Sequence, residues 1–418
     1  MRARANRLVP FRSPHACDTG DTAWLLVSTA LVLFMTPGLA LFYGGMVRRK
    51  NVLATLMHSF AALPIVTLQW IFVGYSLSFG ATHGGLIGGF EFAGLGGLVN
   101  ETRGTVPALA FCAFQLMFAV ITPALIAGAF AERMRFSAYV LFVLLWSTLV
   151  YDPVCHWVWA EGGWLFEMGA LDFAGGTVVH LAAGIAALVC ALVLGKRTGY
   201  PHERHVPHNL TMTLLGAGIL WFGWFGFNAG SALASNGLAA LALLDTHVAA
   251  AAGALGWVAI EWKQRGKPTA LGVASGLVAG LVGITPAAGF VSPWAAAVIG
   301  LAAGIVCYVA VVSKERLGYD DTLDAFGVHG VGGLLGALLT GVFAPGMDKP
   351  FGANGLLYGN PKLLGVQLLT TVVAAVFSGA VTYVVLKVID RTIGLRVSHS
   401  DEREGLDTTQ HGESGYAG

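Results

Sequence analysis

The sequence predicts an all-α membrane protein of about eleven transmembrane helices, built as two inverted five-helix repeats plus one extra helix. Three observations carry this. Hydrophobic residues make up 56% of the 418, charged residues only 11%, and mean hydropathy is +0.70; soluble chains carry about 25% charge. Polar breaks divide the chain into apolar stretches of about the 20 residues a helix needs to cross hydrocarbon. Two of those stretches, five helices apart, each hold one histidine in similar surroundings.

The predicted spans are 23–45, 53–79, 106–130, 137–151, 173–195, 210–232, 244–262, 269–288, 294–312, 325–344 and 364–389. The fourth is short, with 152–172 as a possible contribution. Residues 1–22 form a basic N-terminal tail without the apolar core of a signal peptide, 23–390 the membrane domain, and 391–418 a C-terminal tail. Loops after odd-numbered spans carry thirteen Lys and Arg, among them Arg48, Arg133 and Arg197; the other loops carry Arg103, Lys349 and Lys362. The positive-inside rule then puts the C-terminus in the cytoplasm and the N-terminus outside a cell membrane. Arg2, Arg4, Arg7 and Arg12 run against that rule, and the five loops outweigh them. The 57 glycines suit helices that must approach closely without a hydrophobic drive; Gly332 and Gly336 form one such small-xxx-small pair.

Other classes find little support. Net charge is +1, which gives nucleic acid no basic surface. The five cysteines are scattered and make neither a disulfide framework nor a thiolate metal site. There is no HExxH, no nucleophile motif and no paired catalytic carboxylate, so an enzyme is not expected, nor a cofactor or metal.

The fifth span reads "ALDFAGGTVVHLAAGIAALV" and the tenth "DAFGVHGVGGLLGALLTGVF". Both place an aspartate, Asp172 or Asp324, ahead of a histidine, His180 or His329. Spans five apart run in opposite directions. The duplication is therefore an inverted repeat, an architecture whose working site lies at the repeat interface. Intramembrane ionisable groups are functional candidates by default. Asp172, Gly176 and His180, four apart, are expected on one helix face, with Asp172 a helix-start residue. A ruler along the spans sets His180 nearer one surface and His329 nearer the other; only a tilted or broken helix, or different span ends, would make them neighbours.

Six stretches resemble the Amt/Mep/Rh ammonium transporters, on the Amt branch: "FYGGMVRRKNVL" at 42–53, "FQLMFAVITPALIAGAFAERMRF" at 114–136, "ALDFAGGTVVH" at 170–180, "WFGFNAGSALASN" at 224–236, "DAFGVHGVGG" at 324–333 and the tail "EREGLDTTQHGESGY". The resemblance implies a homotrimer with one pore per subunit, in membrane lipid, conducting ammonium or ammonia with methylammonium as analogue. It implies an outer recruitment site of Trp159, Phe118 and Ser231, with Phe114 near that mouth. It implies a phenyl gate of Phe118 and Phe227, a pore of His180 and His329 with Tyr151 and Trp224 in its wall, and support from Asp172 and, by the repeat, Asp324. The tail resemblance implies a cytoplasmic surface for a soluble trimeric partner of the PII type, with Gly405 turning the chain so that Leu406 docks under a neighbouring subunit. The interval from Trp159 to Asp172 is about one residue long for the family and adds Glu161, so Trp159 is the position most open to displacement. A sensor of ammonium with slow or incidental transport is the alternative function.

Overall fold

The computed structural model describes residues 17–203, 205–346 and 354–416. Most of the predicted N-terminal tail lies outside the described residues, as do Arg204 and Lys349. Eleven apolar helices follow one another among those described: α1 Thr19–Met46, α2 Arg49–Phe79, α3 Ala108–Phe130, α4 Phe136–Glu167, α5 Gly176–Leu194, α6 Leu210–Ala229, α7 Gly237–Arg265, α8 Ala270–Ile284, α9 Pro293–Leu317, α10 Phe326–Phe343 and α11 Pro361–Thr392. Large side chains such as Phe72, Leu255 and Val376 point outward, as the hydrocarbon of a membrane requires. The protein is a multi-pass membrane protein.

The eleven predicted spans all appear, and their ends move for identifiable reasons. The fourth continues past residue 151 because a wide π-turn at Ser147–Tyr151 feeds a further helical segment, Asp152–Trp159. The seventh begins earlier than predicted because the Asn236 side chain accepts hydrogen bonds from Leu238 N and Ala239 N. The eighth stops at Ile284 instead of 288, since Pro286 lacks the N–H another turn needs. The fifth and tenth begin later than the first apolar residue, and this matters most for the site.

Helix α1 lies along α6, α7 packs along α8 and α9, and α5 crosses α10 between the halves; α11 covers α5 and α10. The α5–α10 crossing is a backbone contact. A Cβ on Gly184 would fall 2.1 Å from Gly330 N, and one on Gly333 would fall 2.6 Å from Gly176 O. The Gly332–Gly336 pair faces α8: a Cβ on Gly336 would lie 2.1 Å from Gly283 O. Between α2 and α3 two short ribbons, β1 Thr82–His83 with β2 Ile87–Gly88 and β3 Thr102–Arg103 with β4 Val106–Pro107, cover one face.

The tail forms α12 His399–Glu404 and α13 Leu406–His411 on the opposite face. It docks on its own chain. Leu406 N donates to Asn51 Oδ1 at 2.8 Å, Ala54 N to Asp407 Oδ1 at 2.9 Å, and Leu406 packs with Ala54 and Val397. Gly405 makes the predicted turn at φ +126° and delivers Leu406 to this contact. Beneath it Glu132 pairs with Arg48 and Arg197, and Arg197 with Asp320. Burial pushes the Asp320 carboxyl up, but the hydrogen bonds and charge of Arg197 outweigh it and hold it at about 2.

Candidate functional site

On the face opposite the tail, a cavity of about 840 Å³ opens among Trp159, Phe118, Ser231, Phe173, Phe79 and Phe111. Trp159 stands at the end of the long part of α4, where its Nε1–H donates to Asp172 O at 2.8 Å and fixes the indole. Its ring meets Phe118 edge-on, centroids 5.9 Å apart. The longer loop has therefore not carried Trp159 away, and Glu161 is exposed and outside the cavity wall. Ser231 follows the end of α6, and its hydroxyl donates to Phe227 O at 2.8 Å. With its proton committed inward, the oxygen presents lone pairs to the cavity.

Below the cavity, Phe118 of α3 and Phe227 of α6 stack at 4.1 Å and 28°. Both are buried, so the floor of the cavity is a closed pair of phenyl rings. The Phe227 centroid lies 6.0 Å from that of His180. His180 and His329 follow, stacked at 5.2 Å and 14°. A narrow cavity of about 10 Å³ touches Phe227, Trp224, His180 and His329, and is otherwise walled by apolar side chains such as Leu39 and Ile121. That is scarcely room for one water. Both nitrogens of His180 and Nδ1 of His329 have no hydrogen-bond partner. Trp224 stacks on His180 at 5.3 Å and is held by donating to Thr285 Oγ at 2.9 Å.

The two histidines are neighbours because both helices start deep. α5 begins at Gly176, after a non-helical stretch, and α10 at Phe326. Each opens with a π-turn, 176–181 and 326–330, that carries its histidine. π-turns recur at functional positions because they widen the backbone and re-aim side chains. The crossing at Gly184 and Gly330 then closes the gap that the ruler along the sequence left open.

Asp172 is not on a helix face with His180. It precedes α5, and its two oxygens accept from the N–H groups of Gly175, Gly176, Thr177 and Val178 at 2.6–3.0 Å. It is the anchor of the buried start of α5. Its counterpart in α10 is Asp321, not the predicted Asp324. Asp321 accepts from Ala325 N at 3.1 Å and Phe326 N at 2.8 Å, whereas Asp324 sits at φ +63° and pairs with Lys314. The signal was legible, since Asp321 and His329 are eight apart, as are Asp172 and His180.

Two further positions differ from expectation. Phe114 is fully buried behind Phe118, 4.9 Å away, and does not border the cavity. Tyr151 lies on the π-turn of α4, where its ring faces Trp70 of α2 at 6.3 Å; it borders neither cavity. Phe79, Phe111 and Gln115 join the cavity wall, and Thr285 sets Trp224; Gln115 lies in the quoted stretch 114–136 without standing out there, and the other three lie outside every quoted motif. Among the described residues no group of three or more His, Cys, Asp or Glu is arranged to hold a metal ion.

Comparison with known proteins agrees over the whole membrane domain. Residues 23–416 match the model of the Ammonium Transporter Family. An ammonium transporter of Bacillus subtilis (strain 168) is 51% identical over 401 residues, 95% of this chain and 98% of its own. The crystal structure of Saccharomyces cerevisiae Mep2 superposes with a TM-score of 0.86 at 38% identity, covering 92% of each chain. A structure titled Sensor Amt Protein superposes at 0.88 with 29% identity, covering 94% of this chain and 98% of its own.

Proposed function

Since this chain belongs to the Ammonium Transporter Family, we propose that it captures ammonium at Trp159, Phe118 and Ser231, deprotonates it, and passes ammonia between Phe118 and Phe227 and along His180 and His329. The observation that carries this reading is the unbroken order of the rings: Trp159 to Phe118 at 5.9 Å, Phe118 to Phe227 at 4.1 Å, Phe227 to His180 at 6.0 Å and His180 to His329 at 5.2 Å.

Each stage has a physical basis. Ammonium and potassium are close in size and charge, so size cannot separate them. An aromatic face attracts a cation by roughly 0.5–2 kcal/mol, more once the site is dry. The Ser231 oxygen accepts one N–H, a directional bond that potassium cannot return. The dry constriction beyond then rejects any bare ion, because charge inside a membrane is costly. Ammonium alone escapes by losing a proton. The neutral molecule needs hydrogen-bond partners in an apolar tube, and the unpartnered imidazole nitrogens supply them.

The same reading takes the tail face as cytoplasmic, since Arg48, Arg133, Arg135 and Arg197 cluster beneath the tail. It takes the assembly as a homotrimer, with a PII-type protein as partner on the tail face. The runner-up, a sensor with slow transport, draws on the likeness to the Sensor Amt Protein structure.

The test is uptake of methylammonium and ammonium by reconstituted protein, with membrane current recorded alongside. His180→Ala and His329→Ala, each checked for assembly, should lose uptake or admit potassium. Wild-type uptake and selectivity in both would remove the pore role. Current per molecule taken up separates ammonia alone from ammonia accompanied by a proton, and a very low turnover with tight binding would favour the sensor.

A further inference from the structure

The cavity that holds Trp159, Phe118 and Ser231 has a second aromatic surface. Phe79 and Phe111 meet edge to face, centroids 5.0 Å apart, and both border the same cavity. A cation already rests on these two rings. The Arg103 guanidinium carbon lies 5.1 Å from the centroid of Phe111 and 5.8 Å from that of Phe79. Pairing of β3 with β4, Arg103 opposite Val106, fixes the backbone from which it reaches. The side chain is partly exposed, and among the described residues no carboxylate forms an ion pair with it. Among the described residues the cavity wall holds one ionisable group, Asp172, whose oxygens are occupied by four backbone N–H groups. Arg103, itself outside the cavity wall, thus sets a positive charge on two of the rings that form that wall, beside a site proposed to take a cation.

We propose that Arg103 is a cationic brake on the vestibule, setting the ammonium concentration at which the Trp159–Phe118–Ser231 site half-fills. The proposal rests on that site being the recruitment site. A unit charge about 10 Å from a cation in water shifts its occupancy on the order of twofold. Salt decides whether the shift is felt: the screening length is about 30 Å at 0.01 M and about 8 Å at 0.15 M. Repulsion from Arg103 therefore raises half-saturation at low ionic strength and fades as salt is added.

The experiment measures methylammonium uptake by the full-length protein in liposomes at about 0.01 M and 0.15 M ionic strength, for wild type, Arg103→Gln and Arg103→Lys. Arg103→Gln should lower half-saturation about twofold at low ionic strength and not at high. Arg103→Lys keeps the charge and should track wild type at both. A Gln effect equal at the two ionic strengths would mean a packing role and overturn the proposal, as would no Gln effect at all. Trp159→Leu in the same series separates the two readings. If it raises half-saturation while Arg103→Gln does nothing, the brake fails and the recruitment site stands. If it changes nothing while Arg103→Gln keeps its salt-dependent shift, the charge acts on the mouth and the recruitment site fails.

Discussion

Gly184→Ala adds one methyl group at the tightest point between the two halves of the protein. Its Cβ would lie 2.1 Å from the nitrogen and 2.2 Å from the Cα of Gly330. Ordinary contact begins at 3.4 Å, so α5 and α10 must part there by about 1.3 Å. Neither atom belongs to a side chain that could swing away. Overpacking of this kind costs about 1–3 kcal/mol, which the bundle can survive. The pore is less tolerant. His329 adjoins Gly330 and His180 lies one turn from Gly184, so the stacked pair moves with the backbones, and a constriction of about 10 Å³ gains room for water. Ammonium uptake should fall about tenfold or more, by the sensitivity of positioned groups to shifts near 1 Å, with potassium leaking where wild type excludes it. Gly330→Ala should be milder, since its Cβ meets first the Phe326 ring at 2.6 Å. Gly218→Ala in α6 is the control: nothing lies within 4 Å of its Cβ, and the gain in helix propensity is about 0.5–1 kcal/mol. Uptake and potassium exclusion are measured in liposomes against protein that has assembled. Wild-type behaviour of Gly184→Ala would refute the idea that the crossing sets the histidine spacing.

Asp321→Ala should destabilise by about 1–2 kcal/mol, the worth of a helix-start acceptor, while Asp324→Ala, losing a partly exposed pair, should cost under about 1 kcal/mol; thermal unfolding in detergent distinguishes them, and equal effects would argue against Asp321 as the counterpart of Asp172. Trp159→Leu should raise half-saturation for ammonium severalfold with little change in unfolding temperature, read by uptake at low substrate. The tail carries a pH dependence. Burial pushes Glu402 up, but Arg396 and the Thr198 N–H outweigh it and hold its carboxyl below the ordinary value. Its contribution to docking is complete above the usual carboxylate pKa and is lost as pH falls through the lowered one; Glu402→Gln should remove that acid limb from hydrogen exchange of residues 396–411. Deletion of residues 396–418 should impair transport or binding of a PII-type partner to membranes, and normal values of both would leave the tail a passive extension.

The sequence by itself determined the solvent, the number of crossings and the pairing of the halves. Those properties follow from run length, from Lys and Arg placement and from the matched placement of His180 and His329 five spans apart, all of which are written along one dimension. It also held Asp321, in the eight-residue interval to His329, although the nearer Asp324 repeats the local order of residues. What only tertiary structure decided is depth and direction. A ruler along α5 and α10 separates the histidines. The two helices instead begin inside the bundle, anchored by Asp172 and Asp321, and cross where Gly184 and Gly330 let backbone touch backbone. Phe114 and Phe118 share a helix face, yet only Phe118 reaches the cavity, because Phe227 of a distant helix stacks on it and Gly230 closes over Phe114, whose ring lies 2.8 Å from where a Cβ would stand. Tyr151 turns to Trp70 on a π-turn no periodicity announces. Helical spacing says which residues share a face. What that face meets depends on helices far away in sequence, and in lipid the meeting is set by the close fit of small residues, not by a hydrophobic pattern.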